Sequence, residues 1–367
     1  MHRGVLARVV RRLAAVTAIV AIAVSLASAC SVPLGPGLGS ISGRVTIPDG
    51  VELGEETFID LYLYRPGDDE TDSTSGRATA RPDGTYRFLF LPPGDYTVFV
   101  SVYDAGLAPQ WWGGATSAQD ADVIHLEPGE QRARADVSLV KGATLAGTIS
   151  MPPTSKRSPE HVWVTVWDAR ERIWKGDSAV SSEGAYAVRG LAAGEYKVEV
   201  APPRGRAARQ WWGGASDWTG ADIVTVGASA ERAGLDVALA AGGTISGVVR
   251  GEAAREYGAT VFSWLLAADG EWEQGSWAES DPDGTYRIRG VAPGTYAVSF
   301  SRPIRERPWD DADTAMRRQS SEAEPSHEKY WDDKPDLDSA DLVVVGEGDK
   351  ATGISADLDV PPSAARG

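Results

Sequence analysis

Apolar and polar residues alternate along this chain with a period of two, in short runs broken by glycine and proline. Tyr86, Phe88 and Phe90 share one face of such a run, and Tyr96, Val98 and Val100 share a face of the next. The stretch that holds both, PDGTYRFLFLPPGDY over Pro82–Tyr96, returns as SEGAYAVRGLAAGEY over Ser182–Tyr196 and as PDGTYRIRGVAPGTY over Pro282–Tyr296. Gly84, Gly184 and Gly284 lie 100 residues apart, as do Gly94, Gly194 and Gly294. Each glycine stands two places before a tyrosine: Tyr86, Tyr186 and Tyr286 in the first set, Tyr96, Tyr196 and Tyr296 in the second. The glycines sit where a turn needs a residue tolerant of positive φ. The pattern is a β-hairpin written three times, and it predicts a tandem array.

Around each hairpin the other elements recur in order. The first copy has Ile41–Val45, Phe58–Tyr64, a polar loop, the hairpin, Gln110–Ala115, Ala121–Ile124 and a closing strand Ala135–Val140. The second copy has Leu145–Ile149, Val162–Trp167, Gln210–Ala215, Ala221–Val226 and Leu235–Leu239. The third has Ile245–Val249, Ala259–Trp264, Lys329–Trp331, Ala340–Val345 and Ile354–Val360. A repeat this long exceeds solenoid periods, so each copy is expected to have its own core. About seven short alternating strands per copy, with no helical periodicity, predict an all-β chain of three tandem Ig-like antiparallel β-sandwiches. The expected division is 41–141, 142–241 and 242–360, with a charged insertion near 302–327 in the third copy and a disordered tail over 361–367.

Residues 1–29 carry Arg3, Arg8, Arg11 and Arg12, then the apolar run Leu13–Leu26 and Ala27-Ser28-Ala29, the layout of a signal peptide. Cys30, the single cysteine, follows at once, as in a bacterial lipobox. Lipidation of Cys30, plain secretion after Ala29 and an uncleaved anchor all remain open. In the first case the acyl chains hold the protein at a membrane, and 30–40, rich in Gly, Pro and Ser, is a flexible tether.

Charge narrows the partners. Setting aside the four arginines of the leader leaves 32 of 36 Lys and Arg against 52 Asp and Glu, a balance of −20. Such a surface repels phosphate backbones, which argues against nucleic acid. One cysteine precludes an internal disulfide, and with no asparagine there are no N-glycosylation sequons. Asp68-Asp69-Glu70, Asp310-Asp311-Asp313 and Asp332-Asp333 offer oxygen ligands for Ca²⁺ but lack an EF-hand pattern; solvated loops are the plainer reading. His125, His161 and His327 occupy non-equivalent places without metal-ligand spacing, so no cofactor is expected. Neither a nucleophile elbow nor a P-loop occurs, and no pair of carboxylates is singled out for glycoside hydrolysis.

The thirteen tryptophans are the richest candidate chemistry. Gln-Trp-Trp-Gly-Gly-Ala occurs at Trp111-Trp112 and Trp211-Trp212, and the third copy keeps Trp331. Neighbouring strand residues point to opposite faces, so at most one ring of each pair is expected in the core. The other either covers a loop or joint, or stacks on a sugar or protein partner; three weak sites in register suit multivalent binding.

The Gly-x-Val start, the Asp-Gly-x-Tyr-x-Phe run, Leu-Pro-Pro-Gly-x-Tyr-x-Val and the closing strand resemble the carboxypeptidase regulatory-like domain over 41–360, in three copies. That resemblance implies a prealbumin-like (transthyretin-like) sandwich in the carbohydrate-binding-like fold superfamily. It implies structural roles for the Gly-x-Tyr residues, with Tyr96, Tyr196 and Tyr296 tying down a corner, and it supplies no catalytic residues. By analogy with starch-binding modules, Trp111, Trp112, Trp211, Trp212 and Trp331 become candidate stacking residues. The resulting expectation is a monomeric, exported, non-catalytic surface protein that engages polysaccharide or an envelope protein, or serves as a spacer. A starch-degrading, α-amylase-like enzyme or its accessory component is the alternative.

Overall fold

The computed structural model describes residues 37–359, apart from 55–56, 69–73, 104, 156, 204, 206 and 302–327. The leader, Cys30, the insertion near 302–327 and the tail 361–367 therefore lie outside the described residues, as do Asp69, Glu70 and the 310–313 acids.

The alternating runs form six sheets, a four-stranded and a five-stranded one in each repeat. In the second repeat, Ala185–Leu191 pairs with Ala143–Ser150, which also takes Glu231–Arg232 and Val237–Ala238. The other sheet orders Trp174–Ala179, Trp163–Asp168, Gly194–Ala201 and Gln210–Trp211, with Val224–Val226 also on Gly194–Ala201. Both sheets recur in the first and third repeats. The molecule is thus a tandem β-sandwich protein, and its pairings are antiparallel except at the closing strands. There Glu231–Arg232 and Val237–Ala238 run parallel to the first strand. The only α-helix among the described residues is Glu252–Tyr257.

The chain divides into two compact units. The described residues up to Thr46, with those of Asp60–Phe99 and Trp111–Val137, form one. The described residues of Ile47–Ile59, of Val100–Gln110 and from Ser138 onward form the other, so the second and third repeats share a unit. Each sandwich closes over inward-facing aliphatic side chains. In the second repeat these include Leu145, Val164, Val166, Val188, Val198 and Val200, each no more than 1% exposed.

The repeated glycines and tyrosines form one device. Gly147 pairs with Tyr186 across the first sheet, and a Cβ on Gly147 would lie 2.3 Å from the Leu235 carbonyl oxygen. Its absence lets the closing strand come in, and the Tyr186 hydroxyl donates to that same oxygen at 2.7 Å. Asp236 then accepts from the Thr148 N–H at 2.8 Å, supplying a partner the strand ladder does not. Gly43, Tyr86 and Ala135 repeat the arrangement, and so do Gly247, Tyr286 and Ile354. The second tyrosine of each hairpin turns its hydroxyl back on its own turn: Tyr96 to Pro92, Tyr196 to Ala192 and Tyr296 to Ala292, at 2.7–2.9 Å.

One position departs from the alternation. Phe90, expected on the same face as Tyr86 and Phe88, is half exposed at φ 60°, where the register with Gly39–Ser40 slips. The equivalent residues in the other copies, Gly190 and Gly290, also have positive φ (79° and 72°). The site is a bulge that suits glycine, and in the first repeat it is held by a bulky residue.

Candidate functional site

The outer face of each five-stranded sheet is the chemically distinctive surface. In the second repeat, the aliphatic Val164 and Val166 point inward, which leaves Trp163, Thr165 and Trp167 on the other phase. Trp174 pairs with Trp167 across the sheet. In the third repeat, Val261, Ser263 and Leu265 point inward, and Phe262 and Trp264 point out. Trp277 pairs with Phe262, their ring centroids 6.3 Å apart, and Phe262 lies 6.4 Å from Trp264. In the first repeat, Tyr62 and Phe99 lie 6.4 Å apart and the Arg77 guanidinium covers Tyr62.

Two of these rings are pinned by their polar ends. Trp167 Nε1 donates to Glu199 Oε2 and Trp264 Nε1 to Ser299 Oγ, each at 2.9 Å. Others are open to solvent, with Trp163 52%, Trp174 43% and Trp277 37% exposed. An anchored ring beside open rings is the arrangement on which a planar apolar ligand face can settle without first ordering the protein.

The tryptophan pairs picked out by sequence are placed differently. Trp111 is 1% exposed and Trp211 4%, so neither offers a ring face for stacking while its loop stays closed. Trp111 packs on Phe99 and Tyr64, at 5.0 and 5.3 Å, beneath Ala115, Ala118 and Ala121 of the loop that follows it. Trp211 meets Trp218 edge-on at 5.2 Å. Tyr330 holds the equivalent place in the third repeat, with Ala340 and Leu337 over it. The second rings, Trp212 and Trp331, are half buried against the inter-sheet core; Trp112 is half buried as well. One ring of each pair is thus buried and its neighbour only half buried. The two do point to opposite faces, but the loop after the pair folds back over the outer face and builds a second apolar layer there. This layer also explains why the central strand stretches Tyr96–Val100, Tyr196–Val200 and Tyr296–Phe300 are buried on both faces.

The loop after Trp212 has a further task within its unit. Ser216 Oγ donates to the Pro293 carbonyl at 2.7 Å, Thr219 Oγ1 to Asp269 at 2.9 Å, and Trp218 N–H to Glu273 at 3.2 Å. It joins the second repeat to the third. Beneath it, Lys197 donates to the Trp218 carbonyl at 2.6 Å, and burial, with Arg172 nearby, lowers its pKa. Both cations lie over the Trp218 ring, at 4.7 and 4.8 Å. The Trp211 indole N–H, in contrast, has no hydrogen-bond partner among the described residues.

No group of three or more metal-ligating side chains converges among the described residues. Asp332 and Asp333 take the place of the paired glycines, both at φ 60°, and Asp333 is bound to Lys329 at 2.7 Å. Asp68 accepts from the Arg65 N–H. The exposed Trp163, Trp174 and Trp277 were missed by sequence reasoning, although aromatic residues on the phase opposite the aliphatic ones were there to be read.

No protein-family model matches the chain, and no curated protein does. Among solved structures it is similar to the Bacillus anthracis TIE protein (11% identity, 86% of this chain and 50% of that one, TM-score 0.23). It is also similar to a minor pilin of Streptococcus agalactiae (12% identity, 55% and 95%, TM-score 0.28) and a streptococcal ancillary pilin (11% identity, 89% and 99%, TM-score 0.25). The chain spans half the length of the Bacillus anthracis chain it matches. The β-sandwich assignment rests on the six sheets themselves.

Proposed function

We propose that this is an exported, non-catalytic cell-surface protein of three carboxypeptidase regulatory-like modules, 41–141, 142–241 and 242–360, lipid-anchored through Cys30. Its outer sheet faces bind polysaccharide by stacking on aromatic rings. The observation that carries this reading is that the open rings Trp163 and Trp277 share their sheet faces with the pinned Trp167 and Trp264. Weak sites repeated along one chain add up through effective concentration.

The hydrolase alternative finds less support. A glycosidase's general acid needs a raised carboxyl pKa. Every carboxyl with a displaced pKa among the described residues (Asp83, Glu183, Asp269, Asp283, Asp336) is displaced downward, mostly by hydrogen bonds from serine or threonine side chains and local backbone N–H groups.

The test is co-sedimentation of the full chain with insoluble starch and cell-wall glycan, alongside a reducing-sugar assay. Each of Trp163→Ala and Trp277→Ala is expected to weaken binding about two- to tenfold, the range of an aromatic contact. The double variant is expected to weaken it further, with no sugar released. Undiminished binding by the double variant, or release of reducing sugar, would overturn the proposal.

A further inference from the structure

Within the unit that holds the second and third repeats lies a groove of roughly 790 Å³, and its charge is opposite to that of the chain. Arg157, Arg287, Arg289 and Lys350 line it, and none of its described lining residues is acidic. This is notable in a chain of net charge −16. Several cations elsewhere pair with carboxylates: Arg77 with Asp60, Arg170 with Glu195, Arg209 with Glu199 and Lys329 with Asp333, at 2.7–3.1 Å. Among the described residues no ion pair joins any of the four groove cations to an acid. The two acids flanking the lining Gly348 are turned to backbone instead. Glu347 accepts from the Ala241 N–H at 3.0 Å and Asp349 from the Gly346 N–H at 2.9 Å.

The cations are placed by the sheet. Arg287 and Arg289 stand two apart on the strand Thr285–Val291, so they share its exposed face. Arg289 pairs with Thr244, and Thr244 pairs on its other side with Lys350, giving a row across three strands. Neighbouring strands are about 4.8 Å apart, so the outer members of that row are about 10 Å apart at the backbone. Arg157 comes from the second repeat, in a loop where Ser155 and Ser158 add hydroxyls. Pro202, Pro203 and Met151 give the groove an apolar side.

This is not a general property of the module. The position of Lys350 opposite the first strand is occupied by Gln131 in the first repeat and Glu231 in the second. At the positions of Arg287 and Arg289 the first repeat has Arg87 and Leu89 and the second Ala187 and Arg189, so the third alone combines two arginines with a lysine on this face.

We propose that this groove binds an anionic glycan, a sugar chain carrying carboxylate or sulfate groups. The guanidinium pair and Lys350 take the acidic groups, and the proline side packs on the sugar rings. Guanidinium groups suit planar or tetrahedral oxyanions through paired N–H donors. The apolar side favours a sugar over a bare inorganic ion, and the acidic surface elsewhere disfavours a long nucleic acid. The glycan part rests on the carbohydrate reading above, whereas the anion part rests on the groove alone.

The experiment measures binding of the full chain to polygalacturonate, dextran sulfate, neutral dextran and duplex DNA at two salt concentrations. The variants are Lys350→Glu and Arg287→Ala/Arg289→Ala, with Trp163→Ala/Trp277→Ala in parallel. Lys350→Glu installs the residue the second repeat already carries at this position, so the fold accommodates it. Affinity for polygalacturonate or dextran sulfate is expected to fall at least tenfold in the groove variants and to weaken with salt in the parent; which polymer responds identifies the acidic group. Neutral-glycan binding should be unchanged in the groove variants and reduced only in the tryptophan variant, so the two readings fail separately. No binding to either anionic polymer, equal binding by Lys350→Glu, or tighter binding to DNA than to both would overturn the proposal.

Discussion

Replacing Tyr186 with phenylalanine removes one oxygen and leaves the ring in place. That oxygen donates to the Leu235 carbonyl at 2.7 Å, with Tyr186 5% and Leu235 1% exposed. The carbonyl cannot turn to water without pulling the closing strand off the first one, so it is left buried and unpaired. Losing one partner of a buried hydrogen bond in this way costs about 1–3 kcal/mol. In a unit of the second and third repeats, roughly 200 residues, this corresponds to about 2–4 °C of melting temperature per kcal/mol. Urea unfolding of the parent and Tyr186→Phe, followed by tryptophan fluorescence, should show a lower midpoint at unchanged slope. Gly147→Ala is the companion variant. Its Cβ would meet the same carbonyl oxygen at 2.3 Å, and since backbone rather than a side chain must move, its loss should exceed that of Tyr186→Phe. A Tyr186→Phe cost below about 0.5 kcal/mol would refute the reasoning, because it would mean the closing strand does not depend on this hydroxyl.

Four further outcomes follow from the same geometry. Phe90→Gly should stabilise the first repeat by about 1 kcal/mol, as it relieves a bulky residue at positive φ, and a lower urea midpoint would contradict it. Trp211→Ala should cost about 3–5 kcal/mol and Trp163→Ala less than about 1 kcal/mol, since only the first empties a closed apolar layer. Burial raises the pKa of Tyr86, Tyr186, Tyr286 and Tyr296, and pushes Tyr330 up to about 12. Because the folded values lie above the unfolded one near 10, the stability these groups contribute is complete below pH 10 and is lost as pH rises beyond it. Absorbance near 295 nm should therefore show these tyrosines ionising together with unfolding. His125 is held above the ordinary imidazole range by its hydrogen bond to Asp95 at 2.6 Å, so its NMR titration should move downward in Asp95→Ala.

The sandwich order was readable because inward positions are aliphatic at period two and each hairpin is marked by the same glycines and tyrosines. The bulge at Phe90 was hidden in the first copy, but the glycines at 190 and 290 mark it in the other two. The burial of Trp111 and Trp211 was not readable from alternation, which speaks of two faces and not of a loop that returns to cover one. The aromatic row of Trp163, Trp167, Phe262 and Trp264 was legible in principle. The aliphatic phase alone defines the strands, and the opposite phase carries aromatic residues that the strand pattern does not require. The basic groove needs Arg157 from one repeat beside Arg289 and Lys350 from the next, which no linear pattern announces.

The direction of the closing strands has a mechanical consequence. In the second repeat, Glu231–Arg232 and Val237–Ala238 lie parallel to Ala143–Ser150, so the strand that enters the module and the strands near its exit run side by side in the same direction. Tension applied through the chain at the two ends of such a module slides these strands past each other. Their hydrogen bonds, lying across the pull, are loaded together rather than peeled one at a time. A module stitched in this way resists stretching far better than an antiparallel pair opened from one end.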